Sequence, residues 1–122
     1  MPKIVYTGIL AYGHTNPILP ILQERVFRGH EVTVFYADFF KEKFKKIGVD
    51  YISFSGDIPT EEEVVSKVDN PLASFNVILK VTMSVTNDFT EFLKKIRPDI
   101  ILYDSLATCG YMAAESLGLK SA

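Results

Sequence analysis

The spacing of apolar positions changes several times along the chain, and each change marks an element. Ile4-Val5-Tyr6-Thr7-Gly8-Ile9 is a short β-branched run with little alternation, the pattern of a strand buried on both faces. After the loop Ala11 to Asn16, apolar residues recur every three or four positions at Ile18, Leu19, Ile21, Leu22 and Val26, which predicts a helix. Asn16 is suited to cap it, and Pro17 to its first position, where a missing N–H costs nothing. Arg28 and Gly29 close it, with a cation at the negative end and a residue able to turn left-handed. Glu31 to Tyr36 predicts a second strand. Asp38 is expected to cap a second helix whose apolar stripe is Phe39, Phe40, Phe44 and Ile47, ended by Gly48, before a shorter third strand at Tyr51 to Phe54.

Ser55 to Asn70 is polar, with Pro59 and the acidic run Glu61-Glu62-Glu63, and its weak pattern suits one helical turn or more. From Pro71, helical spacing of Leu72, Phe75, Ile78, Leu79, Val85, Phe89, Phe92, Leu93 and Ile96 predicts a long helix, ~39 Å at ~1.5 Å per residue. Val81, Val85 and several threonines weaken its middle, so a kink or break is expected there. Phe75, Phe89 and Phe92 are expected chiefly in the core. Arg97-Pro98-Asp99 stops the helix, and Ile100 to Tyr103 predicts a fourth buried strand that ends at Asp104. A last helix at about Ala107 to Leu117 stops at Gly118, and Leu119 to Ala122 reads as the approach to a fifth strand.

Strands alternating with helices give an α/β layer fold: a Rossmann-like parallel sheet with helices on both faces. Right-handed crossovers give the strand order 3-2-1-4. The direction of winding then reverses between strands 1 and 4, and in such sheets ligands lie beyond the carboxyl ends of the strands at that reversal. His14 and Asp104 stand just past those two ends.

Composition narrows the function. A chain of 122 residues, 48% hydrophobic and 23% charged, suits one domain. Thirteen basic against 15 acidic residues give a net charge of -2, and the dense basic stretch Lys41 to Lys46 alternates with Glu42 and Phe44, so a nucleic-acid partner is not expected. No run approaches the roughly 20 apolar residues of a membrane span, and the first residues lack the features of a signal peptide. The single cysteine, Cys109, lies among small and apolar residues and is expected as buried filler. One cysteine forms no internal disulfide, which suits a reducing compartment and makes the cytoplasm the expected location.

A histidine on a loop facing a strand-end carboxylate is the minimum set for general-base catalysis: the imidazole takes a proton from a hydroxyl, and the carboxylate orients it. A helix N-terminus at Asn16-Pro17 would favour the neutral imidazole. The plainer alternative is that His14 bonds its own loop and Asp104 caps the following helix. Other candidates are poorer. Gly8 and Gly13 do not fit G-x-G-x-x-G, no phosphate-binding G-x-x-x-x-G-K-[ST] occurs, and Ser105 lacks a G-x-S-x-G elbow. His30 reads as a turn residue after Gly29. Glu61 to Glu63 has no histidine or further carboxylate at ligand spacing, so no metal site is expected.

Tyr12-Gly13-His14-Thr15-Asn16-Pro17, Arg28-Gly29-His30-Glu31-Val32-Thr33 and Arg97-Pro98-Asp99-Ile100-Ile101-Leu102-Tyr103-Asp104 together carry a family resemblance. In order and spacing they resemble the start of GT-B-fold UDP-glycosyltransferases, the group of bacterial macrolide and antibiotic and plant natural-product glucosyltransferases. The resemblance implies inverting transfer of a sugar from a UDP-sugar, a co-substrate rather than a cofactor, to a hydroxyl of a small hydrophobic acceptor. It implies His14 as general base and Asp104 as its partner. It also places the acceptor against Tyr12, Gly13, Thr15, Asn16, Ser55 to Pro59, Ser105 to Thr108 and the faces of Phe75 to Phe89. Residues 1–122 then correspond to the N-terminal acceptor-binding domain alone, left incomplete, with an exposed apolar edge on strand 4. The donor-binding C-terminal domain is expected in cis or on the partner subunit of a split transferase, and the chain by itself is not expected to transfer sugar efficiently. The alternative is a non-enzymatic α/β module that binds a hydrophobic ligand or a partner in the same cleft.

Overall fold

The computed structural model describes residues 2–8, 15–54, 60–67, 69–104 and 107–122, except for the side chains of 61, 64, 78, 108 and 109. Four strands, β1 (Lys3–Thr7), β2 (Glu31–Tyr36), β3 (Asp50–Ser53) and β4 (Ile100–Tyr103), form one parallel sheet in the order β3-β2-β1-β4. The expected 3-2-1-4 order is therefore observed. β1 lies between β2 and β4 and is buried from Ile4 to Thr7, whereas β3 at the edge alternates between exposed and half-buried residues. Position in the sheet thus accounts for the unbroken apolar run of β1.

Helix α1 (Ile18–Phe27) begins one residue later than the sequence predicts. Pro17 occupies the cap position and no side chain caps the helix. The Asn16 side chain is turned outward, where its Oδ1 accepts a 2.8 Å hydrogen bond from Lys43 Nζ. The Asn16 carbonyl instead accepts from Leu19 N in an opening turn. Asp38 likewise does not cap: it opens a 3₁₀ turn (Asp38–Phe40) that runs into the short helix α2 (Lys41–Lys45), and its carboxylate accepts from Ser53 Oγ at 2.8 Å. That bond fastens the turn to the end of β3, an interaction that local sequence does not encode.

The acidic run forms helix α3 (Glu61–Ser66), where Thr60 Oγ1 accepts from Glu63 N. Helix α4 (Pro71–Ile96) is continuous, without the expected break. Asn70 caps it by accepting from Ala73 N at 3.1 Å, and Pro71 follows at the first position. Val81 and Val85 are buried, so packing offsets their low helix propensity, while the Thr86 and Thr90 hydroxyls donate to the carbonyls of Thr82 and Thr86. Arg97 ends the helix in the left-handed region at φ 47°.

The core fills both faces of the sheet. On one face, Tyr6 and Tyr36 pack with Phe40 and Phe44 of the 3₁₀ turn and α2. On the other, Phe35 packs against the tilted ring of Phe89 and stacks on Phe92 of α4, with ring centroids 5.0 and 5.3 Å away. Phe89 is fully buried and Phe92 partly, but Phe75 is 55% exposed, so the aromatic stripe is not core throughout. Leu72, Phe75, Leu79 and Met83 instead form an exposed apolar stripe on the first half of α4. Helix α5 (Thr108–Leu117) returns along β4 so closely that a Cβ at Gly110 would lie 2.6 Å from Tyr103 Cβ.

The outer edge of β4 is not bare, contrary to expectation. Ile101 N and Tyr103 N donate to the carbonyls of Lys120 and Ala122, and Ala122 N donates back to Ile101 O. Ser121 thereby forms a parallel bridge with Ile101, the beginning of a fifth strand.

Candidate active site at the ends of β1 and β4

Register decides what meets at the reversal of the sheet. Thr7 pairs with Tyr103, so the residues that follow, Gly8 and Asp104, stand at the same level. Asp104 N donates to Thr7 O at 3.3 Å, and the Asp104 carbonyl accepts from Ala107 N at 2.8 Å, which leads the chain into α5. Beside them opens a cleft of about 360 Å³. Tyr6, Leu102, Tyr103 and Asp104 line it from the sheet, Pro17, Ile18 and Ile21 from the start of α1, and Ala122 from the edge of β4. Its lining residues are apolar apart from Asp104 and two tyrosines. The position inferred from topology, beyond the carboxyl ends of β1 and β4, thus holds a cleft with Asp104 among its lining residues.

Among the predicted residues, Asp104 lies in this wall. His14, Tyr12, Gly13, Ser105 and the stretch Ser55 to Pro59 lie outside the described residues, as do the side chains of Thr108 and Cys109. Thr15, the immediate neighbour of His14, is fully buried, and its hydroxyl lies 2.8 Å from that of Tyr36 on β2. The residue expected to touch the acceptor therefore fastens the end of its loop to the sheet in this structure. Asn16, held by Lys43, is drawn toward α2. His30 follows Gly29 in the turn before β2, as expected, with its Nδ1 buried.

Tyr6 went unrecognised in the sequence, where it reads as one more strand residue. It is 2% exposed and lines the cleft. Burial, and after it the negative charge of Asp104, push its phenol well above the ordinary tyrosine value, so the hydroxyl keeps its proton. Its signal was the spacing Tyr6-Thr7-Gly8, which on a strand puts an aromatic ring and a bare Cα on one face.

A doubly wound sheet with an apolar cleft at its reversal is the architecture in which α/β domains bind their ligands. Known proteins narrow the class. The NDP-glycosyltransferase YjiC of Bacillus subtilis (strain 168) is 31% identical over 116 residues, covering 92% of this chain and 29% of the relative. The oleandomycin glycosyltransferase of Streptomyces antibioticus is 27% identical over 108 residues, covering 83% of this chain and 24% of the relative. Among solved structures, the glycotransferase of kitacinnamycin superposes with a TM-score of 0.81 at 24% identity, over 98% of this chain and 29% of that one. No protein-family model matches the chain. The resemblance to glycosyltransferases read from the sequence is thus found again in curated relatives and in the fold, and the chain spans less than a third of those relatives' length.

Proposed function

We propose that this chain is the acceptor-binding part of an inverting, nucleotide-sugar-dependent glycosyltransferase. The observation that carries the reading is the placement of Asp104 in an apolar cleft at the reversal of the sheet, in a chain whose relatives are glycosyltransferases. In this reading a small hydrophobic acceptor occupies the cleft with its hydroxyl toward His14. The imidazole takes the hydroxyl proton as the oxygen attacks the anomeric carbon. The bond from that carbon to the nucleoside diphosphate breaks, the diphosphate leaves with the electron pair, and a single displacement inverts the centre. Asp104 orients the imidazole and stabilises the imidazolium. The donor is a UDP-sugar consumed as substrate, held mainly by a further domain or a partner subunit, and the reading assigns the chain no cofactor or metal of its own.

Several features support the assignment. The buried Thr15–Tyr36 contact gives the His14 loop a fixed exit, as a base that must meet its substrate within hydrogen-bond reach requires. Tyr12, Gly13, Asn16, Ser105 and Thr108 are assigned to acceptor contact, with Thr15 supporting them. Helix α4 supplies a further apolar surface: it passes Phe35, near the end of β2, at Phe89 and continues past the strand ends toward Pro71. No helix among the described residues is long and apolar enough to cross a membrane, and the reading places the protein in the cytoplasm with its nucleotide sugar.

The test is transfer from UDP-glucose to a panel of phenolic and macrolide acceptors by the complete protein that carries this chain. His14→Ala is expected to lower the rate by about 10²–10⁴-fold with the fold intact, and Asp104→Asn to lower it as well. An unchanged rate in His14→Ala would remove the base from the reaction and return the chain to a binding module. In the 122-residue chain, acceptors are expected to shift the amides of Tyr12 to Asn16 and Asp104 to Thr108, while UDP-glucose shifts few.

A further inference from the structure

We propose that Tyr6 is a positioning residue for Asp104: through one bridging water its hydroxyl donates toward the carboxylate and holds it in one orientation in the cleft. The inference rests on the proposed role of Asp104 and adds to it a residue outside the three motifs that carry the family resemblance. It is carried by register. Tyr6 pairs with Leu102 and shares its face of the sheet, and Gly8 and Asp104 follow one residue past the ends of β1 and β4, where Asp104 N donates to Thr7 O at 3.3 Å. A Cβ on Gly8 would come 2.3 Å from the Tyr6 hydroxyl oxygen and 3.0 Å from its Cζ. The ring therefore leans along β1 toward the carboxyl end, over the bare Cα of Gly8, and brings its hydroxyl to the level of Asp104 on the neighbouring strand. Adjacent strands are roughly 4.8 Å apart, a separation that one bridging water spans.

The ring has no freedom to lie elsewhere. Tyr36 meets it edge-on with centroids 6.4 Å apart, and Phe44 lies 6.2 Å away. Tyr6 and Asp104 both line the cleft. The raised ionisation of the phenol fits this placement, since an anion beside it would disfavour loss of its proton. A donor that remains neutral through the physiological range holds a carboxylate without cancelling the negative charge that the imidazolium of His14 would need.

Tyr6→Phe tests the inference, because it keeps the ring and removes only the hydroxyl. In the complete protein kcat is expected to fall about tenfold with acceptor and donor KM unchanged, the scale of one hydrogen bond to a charged group. Gly8→Ala should push the ring off its seat and lower kcat at least as far. The double variant should lose no more than Gly8→Ala alone, since both act through one hydroxyl. A readout independent of transfer is the Tyr6 ¹³Cζ resonance of the 122-residue chain at neutral pH, which should move on Asp104→Asn. Suppose Asp104→Asn depresses transfer while Tyr6→Phe leaves kcat intact: Tyr6 is then packing alone and the inference is overturned, although the transferase reading stands. An unmoved ¹³Cζ resonance overturns it equally. If the unsubstituted protein transfers no sugar, the transferase reading fails, and the resonance still decides whether Tyr6 and Asp104 are coupled.

Discussion

The hydroxyls of Thr15 and Tyr36 lie 2.8 Å apart, and neither residue has any exposed surface. This contact joins the residue after His14 to the carboxyl end of β2, so the loop carrying the proposed base is anchored to the sheet at one end. Replacing Thr15 with valine keeps the volume and removes the bond. Urea unfolding is expected to show a loss of about 1 kcal/mol, with a similar loss for Tyr36→Phe. The double variant should lose clearly less than the sum of the two single losses, and full additivity would show that the hydroxyls do not interact.

Gly110 is expected to be intolerant of any side chain. An alanine Cβ would lie 2.6 Å from Tyr103 Cβ and 3.0 Å from its Cγ, and the first of these atoms cannot move without moving β4. Gly110→Ala should therefore cost about 1–3 kcal/mol, although alanine is the better helix former, and a thermal melt reads the sign directly. A melting temperature that rises would show that α5 is free to shift away from the sheet.

Alkaline pH should loosen the fold through Tyr6 and Tyr51. Burial is the main cause of the raised ionisation in each, with Asp104 and Asp38 respectively adding to it. The folded chain therefore keeps both phenolic protons at a pH where the unfolded chain gives them up. Stability is unaffected by these groups below the ordinary tyrosine value of about 10, and falls as pH rises from there toward the raised folded values. Urea midpoints taken across that range should fall less steeply in Tyr6→Phe and in Tyr51→Phe; equal slopes would show that the phenols do not carry the effect.

The backbone was largely legible in the sequence, the polar tethers were not. β2 and β4 have the predicted limits because each is an apolar run between turn signals, Gly29-His30 and Ala37 for one, Pro98-Asp99 and Asp104 for the other. Strand order followed from handedness alone, and with it the position of the cleft. Asn16 and Asp38 were misread as caps because each has a distant partner, Lys43 and Ser53, that only the folded chain brings near. The continuity of α4 was missed because propensity counts Val81 and Val85 against a helix, while burial in the core outweighs that cost. Tyr6 escaped notice because the spacing Tyr6-Thr7-Gly8 gains meaning only from the pairing of β1 with β4, which brings Asp104 level with Gly8.

Helix α4 is much longer than the sheet it packs on. Its far end is pinned where Asp99 N donates to Lys3 O and the Asp99 carboxylate accepts from Lys3 N, and Phe89 packs against Phe35 within two turns of that end. The stretch from Pro71 to Asp88 is ~27 Å long at ~1.5 Å per residue, and Val77, Val81 and Val85 seat its inner side in the core. Tilting it about Phe89 would pull all three valines out of their packing, so the helix moves only with the core. A change of volume at these valines would therefore shift the exposed stripe of Leu72, Phe75, Leu79 and Met83 while leaving every residue that lines the cleft unaltered.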